Sequence, residues 1–369
     1  ASADPLGAGH DSQFTFHYSR LISFGIFWFF ITLSVESSII PIRDVIFEHR
    51  VYLPSVGIFI AAVASVFVFA DSFKHKWPQA GKAIISVFVF MVIILSGVTY
   101  ARNIIWQDKV SLWEDVVRKS PQKARGHSNT GLLYYNKGLT DKAIKHYQIA
   151  LRINPDYAEA HSNLGIAYKD KGLTDKAIEH YQIALRINPD YAEAYNNLGA
   201  AYKNKGLTDM AIKYYQIALR INPDNVDAHI NMAYAYNDKG MTDKAIEHYQ
   251  IAIRLKPDDA DAHYNLGFSY SDKGWLDKAI EHYQIALRLN PYFADAHNNL
   301  GNAYSDKGWL DKGIEHYQIA LKLNPDYAEA HYNLGVTYER RGLLDEAIKQ
   351  YQTALELNPE FKLARDNLN

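Results

Sequence analysis

Apolar residues follow two different patterns along the chain, and the change comes near residue 123. The first third contains three long apolar runs, Leu21–Val35, Val51–Ala70 and Ala83–Ala101. The second and third runs have 20 and 19 residues without a charged side chain. A helix needs roughly 20 such residues to cross about 30 Å of hydrocarbon. We therefore expect three membrane-spanning helices within residues 20–101.

The first of these runs has only 15 residues before Glu36, so it either continues through Ser37–Ile42 or enters the bilayer without crossing it. Residues 1–19 form a polar arm that lacks the basic start and the apolar centre of a signal peptide. The chain begins with Ala1, which leaves open that it is a processed or excerpted product. The basic residues around the runs do not decide which side of the membrane each end faces.

From Ala124 onward the chain repeats itself every 34 residues. The seven units begin at Ala124, Ala158, Ala192, Val226, Ala260, Ala294 and Ala328. In the second unit, apolar residues recur at helical spacing in two segments, which Gly172 separates and Pro189 ends. Each unit is therefore predicted to be a hairpin of two helices. Small residues at unit positions 8 and 20 are expected to let these helices approach closely.

The small-residue, Tyr, Ala and Pro positions of the unit match the tetratricopeptide repeat family, which residues 124–361 resemble, although His161 and its equivalents replace a frequent Trp of the family. The resemblance implies a right-handed solenoid whose concave face, formed by first helices, holds an extended peptide or partner protein. The predicted fold class is therefore all-α, with three transmembrane helices followed by a right-handed α-solenoid of seven tetratricopeptide repeats. Residues 362–369 are expected to form a truncated capping helix.

An amphipathic linker, residues 102–123, lies between the two parts of the chain. Counting back 34 residues places Trp113 in the slot of Tyr147. Residues 104–119 are therefore predicted to be the second helix of a degenerate eighth hairpin. The alternative is a separate amphipathic helix that lies on the bilayer.

Every unit carries an asparagine at position 6. These residues, here called the asparagine ladder, are Asn129, Asn163, Asn197, Asn231, Asn265, Asn299 and Asn333. A row of amides can bind the N–H and C=O groups of an extended peptide without reading its side chains. The row resembles the asparagine ladder of the nucleocytoplasmic O-linked N-acetylglucosamine transferase. Recent duplication of the unit would copy the same residue whether or not it is used, and this alternative stays open.

Other predicted concave positions vary between units. The fourth and fifth units present Ile230, Tyr234, Tyr264 and Phe268, and the second and third present Lys169 and Lys203. An aromatic patch beside lysines would suit a peptide that carries an apolar anchor. The alternative is that some of these side chains pack between neighbouring first helices.

Composition excludes several other functions. The chain has 39 basic and 41 acidic residues, so its net charge of −2 argues against a nucleic-acid partner. It has no Cys and therefore no thiolate site. Eleven of its histidines occupy unit positions 4 and 23, where they are expected to pack, and no phosphate loop, nucleophile elbow or zinc-protease motif occurs. No cofactor and no metal site are predicted.

Residues 20–123 carry a second resemblance, through a segment that includes Glu48, Arg50 and Pro54. It is similar to the C-terminal membrane end of polyprenyl-phosphate-dependent C-type glycosyltransferases that carry tetratricopeptide arrays. The resemblance implies that Arg50, beside Glu48, contacts a lipid phosphate. It also implies an extracytoplasmic array, in the periplasm of a bacterium. The acidic motif that those enzymes use is not present in this sequence.

These patterns together predict a membrane-anchored scaffold that binds a protein or an extended peptide and contacts a lipid bilayer. Whether the chain has an enzymatic role stays open, although its own residues favour none. One alternative is the C-terminal portion of a membrane glycosyltransferase whose catalytic part lies upstream or in another chain. The other is a self-assembling subunit, which would form a homo-oligomer or join a larger membrane complex.

Overall fold

A computed structural model describes residues 109–368, together with isolated residues at 64–66, 68–69, 79, 82–83, 86–87, 90 and 93–94. The chain divides into two compact units, Ala1–Leu112 and Trp113–Asn369. Almost all of the described residues belong to the second unit, where they form helices joined by turns and short loops.

Helices follow one another through the continuous described range. They are α1 Lys109–Lys119, α2 Ala124–Asn136, α3 Thr140–Ile153, α4 Ala158–Asp170, α5 Thr174–Ile187, α6 Ala192–Asn204, α7 Thr208–Ile221, α8 Val226–Asp238, α9 Thr242–Leu255, α10 Ala260–Asp272, α11 Leu276–Leu289, α12 Ala294–Asp306, α13 Leu310–Leu323, α14 Ala328–Arg340, α15 Leu344–Leu357 and α16 Lys362–Asp366. The helices α2–α15 pair into seven hairpins, one for each 34-residue unit, and each unit begins at the first residue of its first helix.

A glycine makes the tight turn inside each hairpin, as Gly172 shows with a φ of 74° in the left-handed region. The Gly172 amide donates to the Lys169 carbonyl at 2.9 Å, and the Leu173 amide donates to the Tyr168 carbonyl at 2.9 Å. These two bonds satisfy carbonyls at the end of the first helix. The second helix can therefore begin within two residues of the glycine, at Thr174.

The two helices of a hairpin are locked together by a tyrosine packed on a glycine. Tyr181 is 0% exposed, and a Cβ added to Gly165 would lie 2.5 Å from a carbon of its ring. The same arrangement recurs in every repeat whose position 8 is Gly. The expectation that small residues let the two helices approach is thus confirmed, because any larger side chain at Gly165 would displace the ring.

Successive hairpins stack in two layers. Each second helix packs against the first helix of the next repeat, and neighbouring first helices also contact each other. Within the described residues, neighbouring second helices make no contact of comparable extent. The first helices therefore form the inner, more closely spaced layer of the solenoid and the second helices form the outer layer.

A further helix packs on each end of the seven-hairpin stack. In α1, the Val116 and Val117 methyl groups would lie 3.7 and 3.6 Å from a Cβ at Gly126, and Glu114 accepts a hydrogen bond from the Tyr134 hydroxyl. These are the contacts that a second helix would make, and the assignment of α1 to a degenerate eighth hairpin stays a prediction. At the other end, α16 has only five residues and buries Ala364.

The predicted membrane helices require a correction. In the part of the chain that the structure describes, no helix combines the length and the apolar character needed to cross a bilayer. The helices α2–α15 have 13 or 14 residues. At about 1.5 Å per residue they reach roughly 20 Å, well short of the 30 Å of hydrocarbon. The absence of such a helix among the described residues contradicts the predicted fold class with three transmembrane helices and the predicted integral membrane location with its periplasmic array.

Several sequence predictions concern residues that the structure does not describe. The run Leu21–Val35, the polar arm 1–19, and Glu48 with Arg50 lie outside the described residues. The runs Val51–Ala70 and Ala83–Ala101 contain only isolated described residues.

Candidate partner-binding groove

The surface of the inner layer is a groove built from one stripe of each first helix. Unit positions 2, 6, 9 and 13 lie three or four residues apart and share a helix face. In the fourth repeat these are Asp227, Asn231, Tyr234 and Asp238, all half-buried or exposed on α8. The asparagine ladder at position 6 therefore runs along the centre of this inner groove.

In the four C-terminal repeats the ladder amides hold neighbouring first helices together. Asn231 Nδ2 donates to Asn196 Oδ1 at 3.0 Å, and Asn333 Nδ2 donates to Asn298 Oδ1 at 3.1 Å. Two others donate to tyrosine hydroxyls: Asn265 to Tyr234 at 2.7 Å, and Asn299 to Tyr264 at 3.0 Å. Four of the seven ladder residues therefore have a structural role at the junctions between repeats.

The three N-terminal ladder residues, Asn129, Asn163 and Asn197, differ from these. They are half-buried, and their side chains take part in none of the hydrogen bonds found among the described residues. The reason lies in the preceding repeat, where Ser128 and Ser162 occupy the place of the longer Asn196, Tyr264 and Asn298. A serine hydroxyl is too short to bridge the gap to Asn163 or Asn197, and Asn129 lies in the first of the seven repeats, so these three amides keep their hydrogen-bonding groups available.

The structure separates the four predicted patch residues into two pairs. Tyr234 and Phe268 occupy position 9 of adjacent first helices and are 36% and 49% exposed. Tyr264 is half-buried, and its ring centroid lies 4.7 Å from that of Phe293 in the loop before the next repeat. Ile230 is also half-buried and packs on the core. Tyr234 and Phe268 are thus the available apolar surface, while Tyr264 and Ile230 serve packing.

The two predicted lysines already have acidic neighbours. Lys203 Nζ lies 3.1 Å from Asp238 and 5.4 Å from the centroid of the Tyr234 ring. Lys169 Nζ lies 3.9 Å from Asp170. Lys203 therefore lies against the Tyr234 ring and is already ion-paired within the groove.

Tyrosine hydroxyls under the groove are strongly shielded from water. Burial raises the pKa of Tyr234 above its ordinary value, and burial together with the nearby Asp295 raises the pKa of Tyr264 to about 12. Both rings therefore stay neutral at physiological pH. Neutral hydroxyls can both donate and accept, which suits their contacts with the ladder amides.

Sequence reasoning missed that the histidines form pairs. Nδ1 atoms face each other at 2.9–3.3 Å in five hairpins. The pairs are His127 with His146, His161 with His180, His229 with His248, His263 with His282, and His297 with His316. The first ring of each pair also contacts a proline carbonyl through Nε2, which must therefore carry a proton. The 19-residue spacing within a unit is the signal that could have revealed the pairs.

Family models of the tetratricopeptide repeat match the chain without a gap across residues 131–361. Those described as TPR repeat match 131–172, 167–206, 233–274, 269–308 and 301–342, and those described as Tetratricopeptide repeat match 192–225, 214–247 and 328–361. These matches begin at residue 131, and the predicted resemblance of residues 20–123 to C-type glycosyltransferases is not shown. No curated protein matches the chain.

Solved structures that resemble the chain are also repeat proteins. MamA is 34% identical over 44% of this chain and 95% of its own, with a TM-score of 0.42. YrrB, described as a TPR protein with an unusual peptide-binding site, is 24% identical over 52% of this chain and 98% of its own, with a TM-score of 0.46. TM-scores this low do not carry an assignment of function.

A larger structural likeness is to the Cut9–Hcn1 hetero-tetramer of the APC/C. It is 21% identical over 70% of this chain and 51% of that chain, with a TM-score of 0.57, and it shows the fold alone. The family models cover more than half of the 369 residues. This chain belongs to the tetratricopeptide repeat family.

Proposed function

We propose that this chain is a scaffold that binds an extended segment of a partner protein along its inner groove. The observation that carries the proposal is the division of the asparagine ladder. The amides of Asn129, Asn163 and Asn197 have no hydrogen-bond partner among the described residues, whereas the other four amides join neighbouring repeats. Three amides on neighbouring first helices therefore keep their donors and acceptor available to a bound backbone.

The free amides are in repeats 1–3, and the exposed aromatic pair Tyr234 and Phe268 follows them in repeats 4 and 5 of the same inner layer. An amide side chain offers one acceptor and two donors, which match the C=O and N–H of an extended backbone. A large exposed aromatic surface supplies the apolar anchor that such a backbone contact lacks. The proposed partner therefore lies extended across several repeats, with an apolar side chain at repeats 4 and 5.

The experiment selects ligands from a library of random linear 12-residue peptides against the full chain and measures their affinity by fluorescence anisotropy. Replacing Tyr234 and Phe268 together with Ala is expected to weaken a selected peptide by at least tenfold, since it removes the anchor surface. The matched control is Tyr292→Ala, which truncates an aromatic residue that is 79% exposed in a loop.

The control variant is expected to bind with unchanged affinity. If no peptide is enriched, or if the selected peptides bind the Tyr234 and Phe268 variant as tightly as the original chain, the groove is not the binding surface and the proposal fails.

A further inference from the structure

Charge is distributed unevenly along the inner layer. The three central first helices, α8, α10 and α12, contain no Lys and no Arg. Each carries two aspartates, one in its first turn and one at its last residue: Asp227, Asp238, Asp261, Asp272, Asp295 and Asp306. The other first helices each carry a basic residue, namely Arg125, Lys169, Lys203 and Arg340.

Among the described residues, ion pairs reach these six aspartates only at the two ends of the segment, and Lys256 interacts with Asp227 at longer range. Lys203 lies 3.1 Å from Asp238, and Arg340 lies 4.0 Å from Asp306. Between them, Asp272 accepts a hydrogen bond from the neutral Thr242 hydroxyl at 3.0 Å. Asp227 and Asp261 form none of the ion pairs found among the described residues.

Helix stability does not account for all of these carboxylates. An aspartate in the first turn is favoured by the positive end of the helix dipole. An aspartate at the last residue faces the negative end, where it is disfavoured. Asp272 is such a residue, and no basic side chain in the described part of the chain pairs with it. A role outside the helix explains its charge better.

Unpaired buried polar atoms lie under the same surface. Tyr249 is 0% exposed, and its hydroxyl has no partner among the described residues, as is also true of the Tyr181 and Tyr215 hydroxyls in repeats 2 and 3. The Oδ1 atom of Asn237 likewise has none, and it is in repeat 4. In later repeats the equivalent hydroxyls donate to position 9 or 12 of their own first helix: Tyr317 to Asn302 at 2.7 Å, and Tyr351 to Glu339 at 2.7 Å.

The tyrosine at this place in each second helix therefore directs its hydroxyl from the core toward the inner groove. In the fourth repeat, positions 9 and 12 are Tyr234 and Asn237. The Tyr234 ring stands edge-on to the Tyr249 ring, with centroids 5.9 Å apart at 84°. A carbonyl acceptor and a hydroxyl are thus left without partners beside the exposed aromatic surface, where a ligand with several N–H donors would satisfy them.

We propose that the groove at repeats 4–6 binds an extended segment of a partner protein in which arginine or lysine residues flank an apolar side chain. This inference rests on the proposed function and specifies its ligand. The carboxylates of Asp227, Asp261 and Asp272, which form no ion pair in the described part of the chain, accept N–H donors from basic side chains. A guanidinium fits best, because it bonds carboxylates bidentately, stacks on aromatic rings such as Phe268 and can also reach the Asn237 carbonyl.

The test uses three synthetic 11-residue peptides that share a central Phe and differ only in flanking residues, which are Arg, Ser or Glu. Binding to the full chain is measured by fluorescence anisotropy in 0.15 M and 0.5 M salt. The Arg peptide is expected to bind at least tenfold more tightly than the Ser peptide, and the Glu peptide most weakly. The difference is expected to narrow in 0.5 M salt, which screens exposed charges.

Two variants localise the effect. Asp227→Asn, Asp261→Asn and Asp272→Asn together are expected to remove most of the preference for Arg. The control carries the same change of charge on exposed residues of second helices, Glu179→Gln, Glu247→Gln and Glu281→Gln, and is expected to retain the preference.

Equal affinity for the Arg and Ser peptides, or equal loss in the two variants, would overturn this inference and leave the proposed function intact. The inference also fails if none of the three peptides binds while library-selected peptides do. If no peptide of either kind binds, the proposed function fails with it.

Discussion

Acid is predicted to destabilise the solenoid through its histidine pairs, and His316 gives the size of the effect. Burial, assisted by the charge of the neighbouring His297, lowers the pKa of His316 from 6.5 to about 4. The folded state thus disfavours the charged ring. The resulting stability is fully present above the unfolded pKa near 6.5 and is lost as the pH falls from there toward 4.

The magnitude follows from these two pKa values. Between pH 7 and pH 5 the unfolded chain takes up about 0.7 of a proton at this site and the folded chain about 0.1, which integrates to about 2 kcal/mol. Partial exposure of the ring screens the charge and reduces this to about 1–2 kcal/mol. Burial lowers the pKa of the second ring in the other four pairs as well, so the contributions act in the same direction.

The seventh repeat supplies the variant that tests this. There the second histidine is replaced by Gln350, whose side chain contacts His331 Nδ1 at 2.6 Å and does not titrate. Urea unfolding of the full chain at pH 7 and pH 5 should show a smaller acid loss in His316→Gln than in the original chain, by about 1–2 kcal/mol. The reverse change, Gln350→His, should enlarge the loss.

The carboxylates also titrate in this pH range, but they are the same in every variant. Their contribution to the acid loss therefore cancels when the variants are compared. Identical acid losses in the original chain, His316→Gln and Gln350→His would refute the reasoning. The histidine pairs would then be packing contacts without a linked proton.

Four further substitutions test the packing. Gly165→Val forces a side chain into the Tyr181 ring and should lower the free energy of unfolding by about 1–3 kcal/mol, measured by urea unfolding. Tyr249→Phe removes a buried hydroxyl that has no partner and should leave thermal stability unchanged or higher, whereas Tyr317→Phe removes a bonded hydroxyl and should cost about 1 kcal/mol. If α1 completes a degenerate hairpin, Trp113→Ala should expose the first repeat to proteolysis and lower its stability by about 1–3 kcal/mol, because the ring is half-buried. Unchanged protection of the first repeat would show that α1 is not part of the solenoid.

The hairpins could be predicted almost to the residue because their determinants are local. Gly172 sets the turn, Gly165 and its equivalents set the spacing of the helices, and the 34-residue period sets the units. Membrane helices could not be predicted in the same way. An uncharged run of 19 or 20 residues satisfies the length rule for a membrane span whether it faces lipid or packs against protein.

Which ladder residues are available was also beyond the sequence. Asn163 and Asn231 occupy the same position in their units, yet only Asn231 has a partner. The difference depends on Ser128 and Asn196, each 35 residues upstream, and on the distance between first helices. Likewise, the partner of Lys203 is Asp238 in the next repeat, so its neutralisation depends on the stacking of units.

The most direct test of the groove as a binding surface compares two triple asparagine variants of the full chain. One replaces with Ala the amides that have no partner, Asn129, Asn163 and Asn197. The other replaces amides that join neighbouring repeats, Asn231, Asn299 and Asn333. Peptide affinity and urea unfolding are measured for both.

At about 0.5–1.5 kcal/mol for each hydrogen bond, the first variant should bind a selected peptide about one to three orders of magnitude more weakly and unfold at an unchanged urea concentration. The second should lose about 1.5–4.5 kcal/mol of stability. If the first variant binds the peptide with unchanged affinity, the ladder does not hold a partner and the account of the groove is contradicted.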